Sequence, residues 1–130
     1  MLPSGSRLHT SDEFAAVVRT GRRSASGSLV VHLLIPPSGF QSGRTSRVGF
    51  VVSAKVGNAV VRHRVTRRLR VLVQPLLTEL PAGTDVVVRA LPAAASAGSA
   101  QLGRDLRGAA ASALRKARAS RPVAPVGGAG

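Results

Sequence analysis

Apolar residues recur along this chain in two periods, and the alternation between them lays out the fold. Leu29 to Ile35 is an almost unbroken aliphatic run, rich in β-branched residues and interrupted only by His32. It reads as a strand, closed by Pro36-Pro37 and a Gly/Ser-rich loop to about Ser46. Arg47 to Ser53 and Asp85 to Leu91 are further strands bounded by turn residues, and Arg22 to Ala25 is a short edge strand. Between them the period lengthens. Phe14, Val17 and Val18 share one helical face, behind a start at Thr10-Ser11-Asp12-Glu13 with capping-box spacing and a stop at Gly21. Val61, Val65, Leu69, Leu72 and Leu76 fall on one arc at about 100° per residue, which predicts a long helix that Pro75 should kink or end, Leu76 to Leu80 adding a turn. Ala93 to Ala100 is a connector. Leu102, Leu106, Ala109, Ala110, Ala113 and Ala117 give a last helix from Gln101 to Arg118, with Gly103 and Gly108 inside it. The residues from Ala119 to Gly130 are Pro/Gly/Ala-rich and predict a disordered tail. Helix, strands, helix, strand, helix is the order of an α+β sandwich, a small sheet packed with helices.

Charge changes the picture most. The 130 residues carry 19 Lys and Arg against five Asp and Glu, a formal charge of +14. A compact chain with that excess repels itself unless a polyanion neutralises it, which points to nucleic acid. At 44% hydrophobic residues the chain has enough apolar content for a single folded domain. It has no Cys, which excludes disulfides, thiolate catalysis and Cys-ligated zinc. It has no Trp or Tyr and only Phe14, Phe40 and Phe50, which argues against sheet modules that stack several RNA bases on rings. Met1 to Thr10 lacks an apolar signal core and no apolar run is long enough for a bilayer, so a cytoplasmic location and no membrane contact are expected.

Candidate catalytic groups do not cluster. The acids are Asp12, Glu13, Glu79, Asp85 and Asp105, whose one adjacent pair is explained by helix capping, and His9, His32 and His63 are isolated. A hydrolase would need grouped carboxylates, a histidine pair or an activated nucleophile, and no Gly-rich phosphate loop is present. The second helix differs. Ala59 to Leu77 contains no acid, and Arg62, Arg64, Arg67 and Arg70 spread over the side opposite the apolar arc, with Arg68 at its border. Solvated faces normally mix signs, so phosphate binding accounts better for this one. The Gly57-Asn58 helix start beside Lys55 adds free amides suited to a phosphate. Seventeen of the 19 cations are Arg, which favours bidentate phosphate contacts, although a GC-rich genome would give the same bias.

The stretch Ser53-Ala54-Lys55-Val56-Gly57-Asn58-Ala59-Val60-Val61-Arg62-His63-Arg64-Val65-Thr66-Arg67-Arg68-Leu69-Arg70 resembles the signature of the protein subunit of bacterial ribonuclease P. Arg7-Leu8 with Phe14 and Gly21, Val48 to Ser53, and Asp85 to Ala90 extend the resemblance over most of residues 7–118. His63 stands where the family usually has Asn, Thr66 and Ala54 where Lys is common, and Arg89 one position before the usual Arg of the last strand. The resemblance implies a two-layer α+β sandwich like the second domain of ribosomal protein S5. Its small mixed sheet would contain a left-handed βαβ crossover through the Arg-rich helix, in a domain over residues 1–118 followed by the tail 119–130. It implies a protein component of a ribozyme that removes the 5′ leader from precursor tRNA, with hydrolysis by Mg²⁺ held in the RNA and no catalytic residue or metal ligand in this chain. Lys55, Asn58, Arg62, His63, Arg64, Arg67, Arg68 and Arg70 would face the catalytic RNA, and Phe14, Val18, His32, Phe50 and Val52 would line a cleft for the leader. Those two RNAs would be its partners, with no obligate protein partner. The alternatives are a small basic ribosomal or RNA-chaperone protein and a helix-turn-helix DNA-binding protein, the latter opposed by the strand pattern of Val48 to Val52.

Overall fold

The computed structural model describes residues 7–36 and 45–120. The loop expected after Pro36, Phe40 within it, and the tail beyond residue 120 lie outside the described residues.

Local chemistry fixes the first helix, α1 (Ser11–Thr20). The Thr10 hydroxyl accepts from the Glu13 amide at 3.1 Å, and the Glu13 carboxylate accepts from the Thr10 amide at 3.0 Å and the His9 amide at 2.6 Å. At the other end the Gly21 amide donates to the Val17 carbonyl, so both expected boundaries hold. The chain then forms β1 (Arg22–Ser26), β2 (Leu29–Leu34), β3 (Arg47–Val51), α2 (Ala59–Glu79), β4 (Asp85–Ala90), a 3-10 turn at Pro92–Ala95, and α3 (Ser99–Ser120).

The sheet order is β1-β2-β4-β3, antiparallel except for the parallel β3–β4 pair that α2 connects. Leu8 extends the outer edge of β3 by donating its amide to the Val48 carbonyl. Alternation then sorts the side chains. Leu29, Val31, Leu33, Val48, Val86 and Val88 form the main core with Val65, Leu69 and Val73 of α2 and Leu102, Leu106 and the alanines of α3. The opposite face carries a smaller cluster of Leu8, Val17 and Val87, with Phe14, Leu34 and Val51 packed on it, under α1. The result is an α+β fold with a small mixed sheet, as expected.

Two differences from the sequence reading concern helices. α2 does not end at Pro75 but runs to Glu79. The bond that Pro75 cannot make would go to the carbonyl of Val71, whose side chain is 64% exposed, so water can solvate that carbonyl while Leu76 and Leu77 still reach the core. α3 also begins at Ser99 and includes Ala119 and Ser120, residues assigned by sequence to the tail. Its small-residue face lets it lie close to the β1–β2 hairpin. At the hairpin turn Gly27 has φ +55°, and Asp105 of α3 accepts from the Ser28 amide at 2.9 Å and the Ser28 hydroxyl at 2.6 Å. A side chain at position 27 would meet that carboxylate as well as the wrong backbone region.

Candidate nucleic-acid interface

The helical period divides the polar surface of α2 into three stripes. Arg62, Thr66 and Arg70 form the flank toward β3: the Arg62 Nε donates to the Gly57 carbonyl at 3.2 Å and the Thr66 hydroxyl to the Arg62 carbonyl at 2.9 Å. Arg64 and Arg68 form the other flank, reaching the segment after β4. There Arg64 donates to the Ala95 carbonyl and Arg68 to the Ala97 carbonyl, each at 3.1 Å. His63 and Arg67 lie between on an exposed crest whose ends are Val60, 73% exposed, and Val71. Apolar tips among cations suit a surface that meets ribose and base as well as phosphate. Asn58 caps α2 by accepting from the Val61 amide at 3.0 Å, and both it and Lys55, three residues earlier, are exposed. The sequence-derived set for the catalytic RNA therefore occupies one connected ridge, but with different duties. Arg62, Arg64 and Arg68 also brace backbone, while Arg67 makes no hydrogen bond or ion pair among the described residues.

The one acid on α2 is Glu79 at its far end, and three of the other carboxylates are held elsewhere. Glu13 serves the cap of α1 and meets Arg47 at 2.8 Å, Asp85 takes the same Arg47 through two bonds, and Asp105 ties α3 to the hairpin. The amides of His9 and Thr10, helped by Arg47, pull the Glu13 carboxyl down to about 2. Burial pushes Asp105 up, yet the Ser28 and Gln101 hydrogen bonds outweigh it and the group lies below its usual value. Among the described residues no group of three or more His, Asp or Glu is arranged to hold a metal ion.

The five residues nominated for the leader cleft do not share one surface. Phe14, Val18 and His32 lie on the α1 side. The Phe14 ring covers Gly49 so closely that a Cβ there would collide with it, and Val18 is 39% exposed. His32 is 5% exposed, and its Nδ1 is buried without a hydrogen-bond partner among the described residues. Burial, then the charges of Arg89 and Arg23, lower its pKa, favouring the neutral ring. Phe50 and Val52 instead point to the opposite face, packed on the main core with α2. The reason is strand alternation: they stand in phase with Val48, whereas Gly49 and Val51 face α1. Sequence reading missed Arg23 and Arg89 as neighbours of His32. The register places Arg23 opposite His32, and Arg89 opposite Val30 on the same face.

This basic α+β domain, whose arginine helix crosses between parallel strands with no acid before Glu79 at its end, has the build of a small RNA-binding protein. The family model described as Ribonuclease P matches residues 2–114. The chain belongs to the ribonuclease P protein family, and its role is in 5′ processing of tRNA as part of the ribonuclease P holoenzyme. Among similar proteins are the ribonuclease P protein component of Mycobacterium sp. strain KMS, 51% identical over 91% of this chain and 94% of that one, and that of Streptomyces bikiniensis, 52% identical over 82% and 89%. The solved Staphylococcus aureus ribonuclease P protein superposes with TM-score 0.68 at 22% identity, covering 84% of this chain and 97% of that one. The Thermotoga maritima protein, solved with a fluorophenyl thiourea, gives 0.65 at 23% identity, covering 78% and 94%. These two show the shared fold.

Proposed function

We propose that this chain binds the catalytic RNA of ribonuclease P through the α2 ridge and the 5′ leader of precursor tRNA through the α1 face of the sheet. The observation that carries the reading is the ridge itself: Lys55, Asn58, Arg62, His63, Arg64, Arg67, Arg68 and Arg70 on one helix and its entry, with no acid from Ala59 to Thr78. Such a surface binds by neutralising phosphates and releasing their counterions. On the α1 side, Phe14, Val18 and the Arg23–His32–Arg89 group offer a ring, an aliphatic tip and positive charge to an extended single strand. Phe50 and Val52 reach RNA only at the edge of β3, where Phe50 borders a groove.

In this division of labour the protein contributes affinity and placement and the RNA contributes chemistry. Mg²⁺ held by the RNA would supply the hydrolytic step, while Glu13, Asp85 and Asp105 of this chain serve the α1 cap, Arg47 and Ser28. The residues act by bringing leader and ribozyme together under the repulsion of two polyanions. The cytoplasm, where precursor tRNA is made, is the compartment this requires.

The deciding experiment is cleavage of a leader-bearing precursor tRNA at low Mg²⁺ by a cognate ribonuclease P RNA, with and without this protein. The protein is expected to be inert alone and to restore cleavage at the mature 5′ end when the RNA is present. No restoration, with intact binding to both RNAs, would mean a chaperone-type RNA binder.

A further inference from the structure

A groove of about 270 Å³ lies at the outer edge of β3, between the segment entering α1 and the inner flank of α2. Its walls include Arg7, His9 and Phe14 on one side and Phe50, Thr66 and Arg70 on the other. No acid lines it, and Glu13, the nearest one on α1, is turned to Arg47 and the cap amides. The two phenyl rings come from opposite faces of the sheet, Phe14 over Gly49 and Phe50 against the main core, and both border this opening. Arg7 has its Nε buried with no hydrogen-bond partner, and Arg70 makes no hydrogen bond or ion pair, in each case among the described residues. A buried guanidinium nitrogen without an acceptor is costly unless a ligand supplies one. Two unengaged guanidinium groups facing across a small space flanked by rings fit one nucleotide of single-stranded RNA, its phosphate between the arginines and its base against a ring. The volume falls just under the roughly 300 Å³ lower end of ligand pockets, which suits one nucleotide and not a duplex.

We propose that this edge groove is a single-nucleotide site through which the 5′ leader rounds β3, passing from the α1 face to the α2 ridge, with Arg7 and Arg70 holding one phosphodiester. The proposal rests on the functional reading above and deepens it: it places the leader against both surfaces at once. Arg7 is the informative position because it lies outside the arginine helix and its guanidinium braces nothing in the described fold.

The test uses the assembled holoenzyme and measures affinity for precursor tRNA with leaders of increasing length, and for mature tRNA, over a range of salt. Arg7→Ala is expected to weaken binding of leader-bearing tRNA about tenfold at low salt and to flatten the salt slope by about 0.7, the share of one single-strand phosphate. Binding of mature tRNA and of the catalytic RNA should not change. Arg7→Lys should retain the slope. Phe50→Leu, which keeps most of the packing volume, should lower affinity for the leader without altering the slope. Full leader-dependent affinity in Arg7→Ala would overturn the proposal while leaving the functional reading intact, as would a loss that falls equally on the catalytic RNA. If the unaltered protein shows no leader dependence, the functional reading fails and the proposal with it.

Discussion

Arg47 and Asp85 stand opposite each other in the register of β3 and β4 and close a two-pronged ion pair, Nε to Oδ1 at 3.0 Å and the terminal nitrogen to Oδ2 at 2.9 Å. The remaining guanidinium nitrogen takes Glu13, so one side chain fastens the start of α1 to the first residues of β3 and β4. Arg47→Ala should cost about 2–4 kcal/mol, because it removes two charge-assisted bonds from a largely buried Asp85 as well as releasing α1. Urea denaturation of the variant measures this. Leader affinity should fall more than affinity for the catalytic RNA, since Phe14 is carried by α1.

A second expectation concerns Gly49. The Phe14 ring occupies the space where a Cβ would sit, so Gly49→Ala must displace either the ring or the strand. A penalty of about 1–3 kcal/mol is expected. Gly49→Ala combined with Phe14→Leu should recover much of it, and thermal melts of the three variants show whether the two positions are coupled.

Acid should loosen the same corner. Glu13 titrates at about 2 in the fold against 4.5 in an unstructured chain, so the unfolded state binds the proton more readily. The stabilisation is complete above pH 4.5 and is lost as pH falls toward 2. His32 acts in the same direction at higher pH: its lowered value favours the folded state above 6.5 and withdraws that support as pH falls below it. Melting temperature against pH should decline in both windows. Glu13→Gln should flatten the lower window and His32→Phe the upper one.

On the ridge, Arg67 and Arg64 separate charge from bracing. Arg67→Ala should leave the melting temperature unchanged and reduce the salt slope of catalytic-RNA binding by about 0.7–0.9 for one lost phosphate contact. Arg64→Ala should flatten the slope and also lower stability by about 1 kcal/mol, because its bond to the Ala95 carbonyl is lost. Filter binding across salt with parallel melts distinguishes the two.

The elements legible in the sequence were those set by near neighbours. Thr10 and Glu13 announce the cap of α1 because both partners lie within one turn. The arginine stripes of α2 follow from the helical period, and the motif from Lys55 to Arg70 leads directly to the family. What was hidden depends on distant parts of the chain. Alternation puts Phe50 and Val52 in phase, but nothing local says that α1 covers the face they do not use. Pro75 looks like a stop until the exposure of Val71 shows that the freed carbonyl can be solvated. Arg23 and Arg89 become neighbours of His32 only through the sheet register. The Asp105–Ser28 contact spans 77 positions, which no short window reveals.

That contact bears on how the chain is made. α3 follows all four strands in the described chain, yet it supplies Leu102, Leu106, Ala109 and Ala113 to the main core and seals the β1–β2 hairpin. Until α3 has emerged, the β1–β2 hairpin lacks the helix that packs on it, and the main core is closed only in part, by α2. Native closure of the core therefore waits on residues that follow β4 in the chain, and the strands form before the helix that seals them is available.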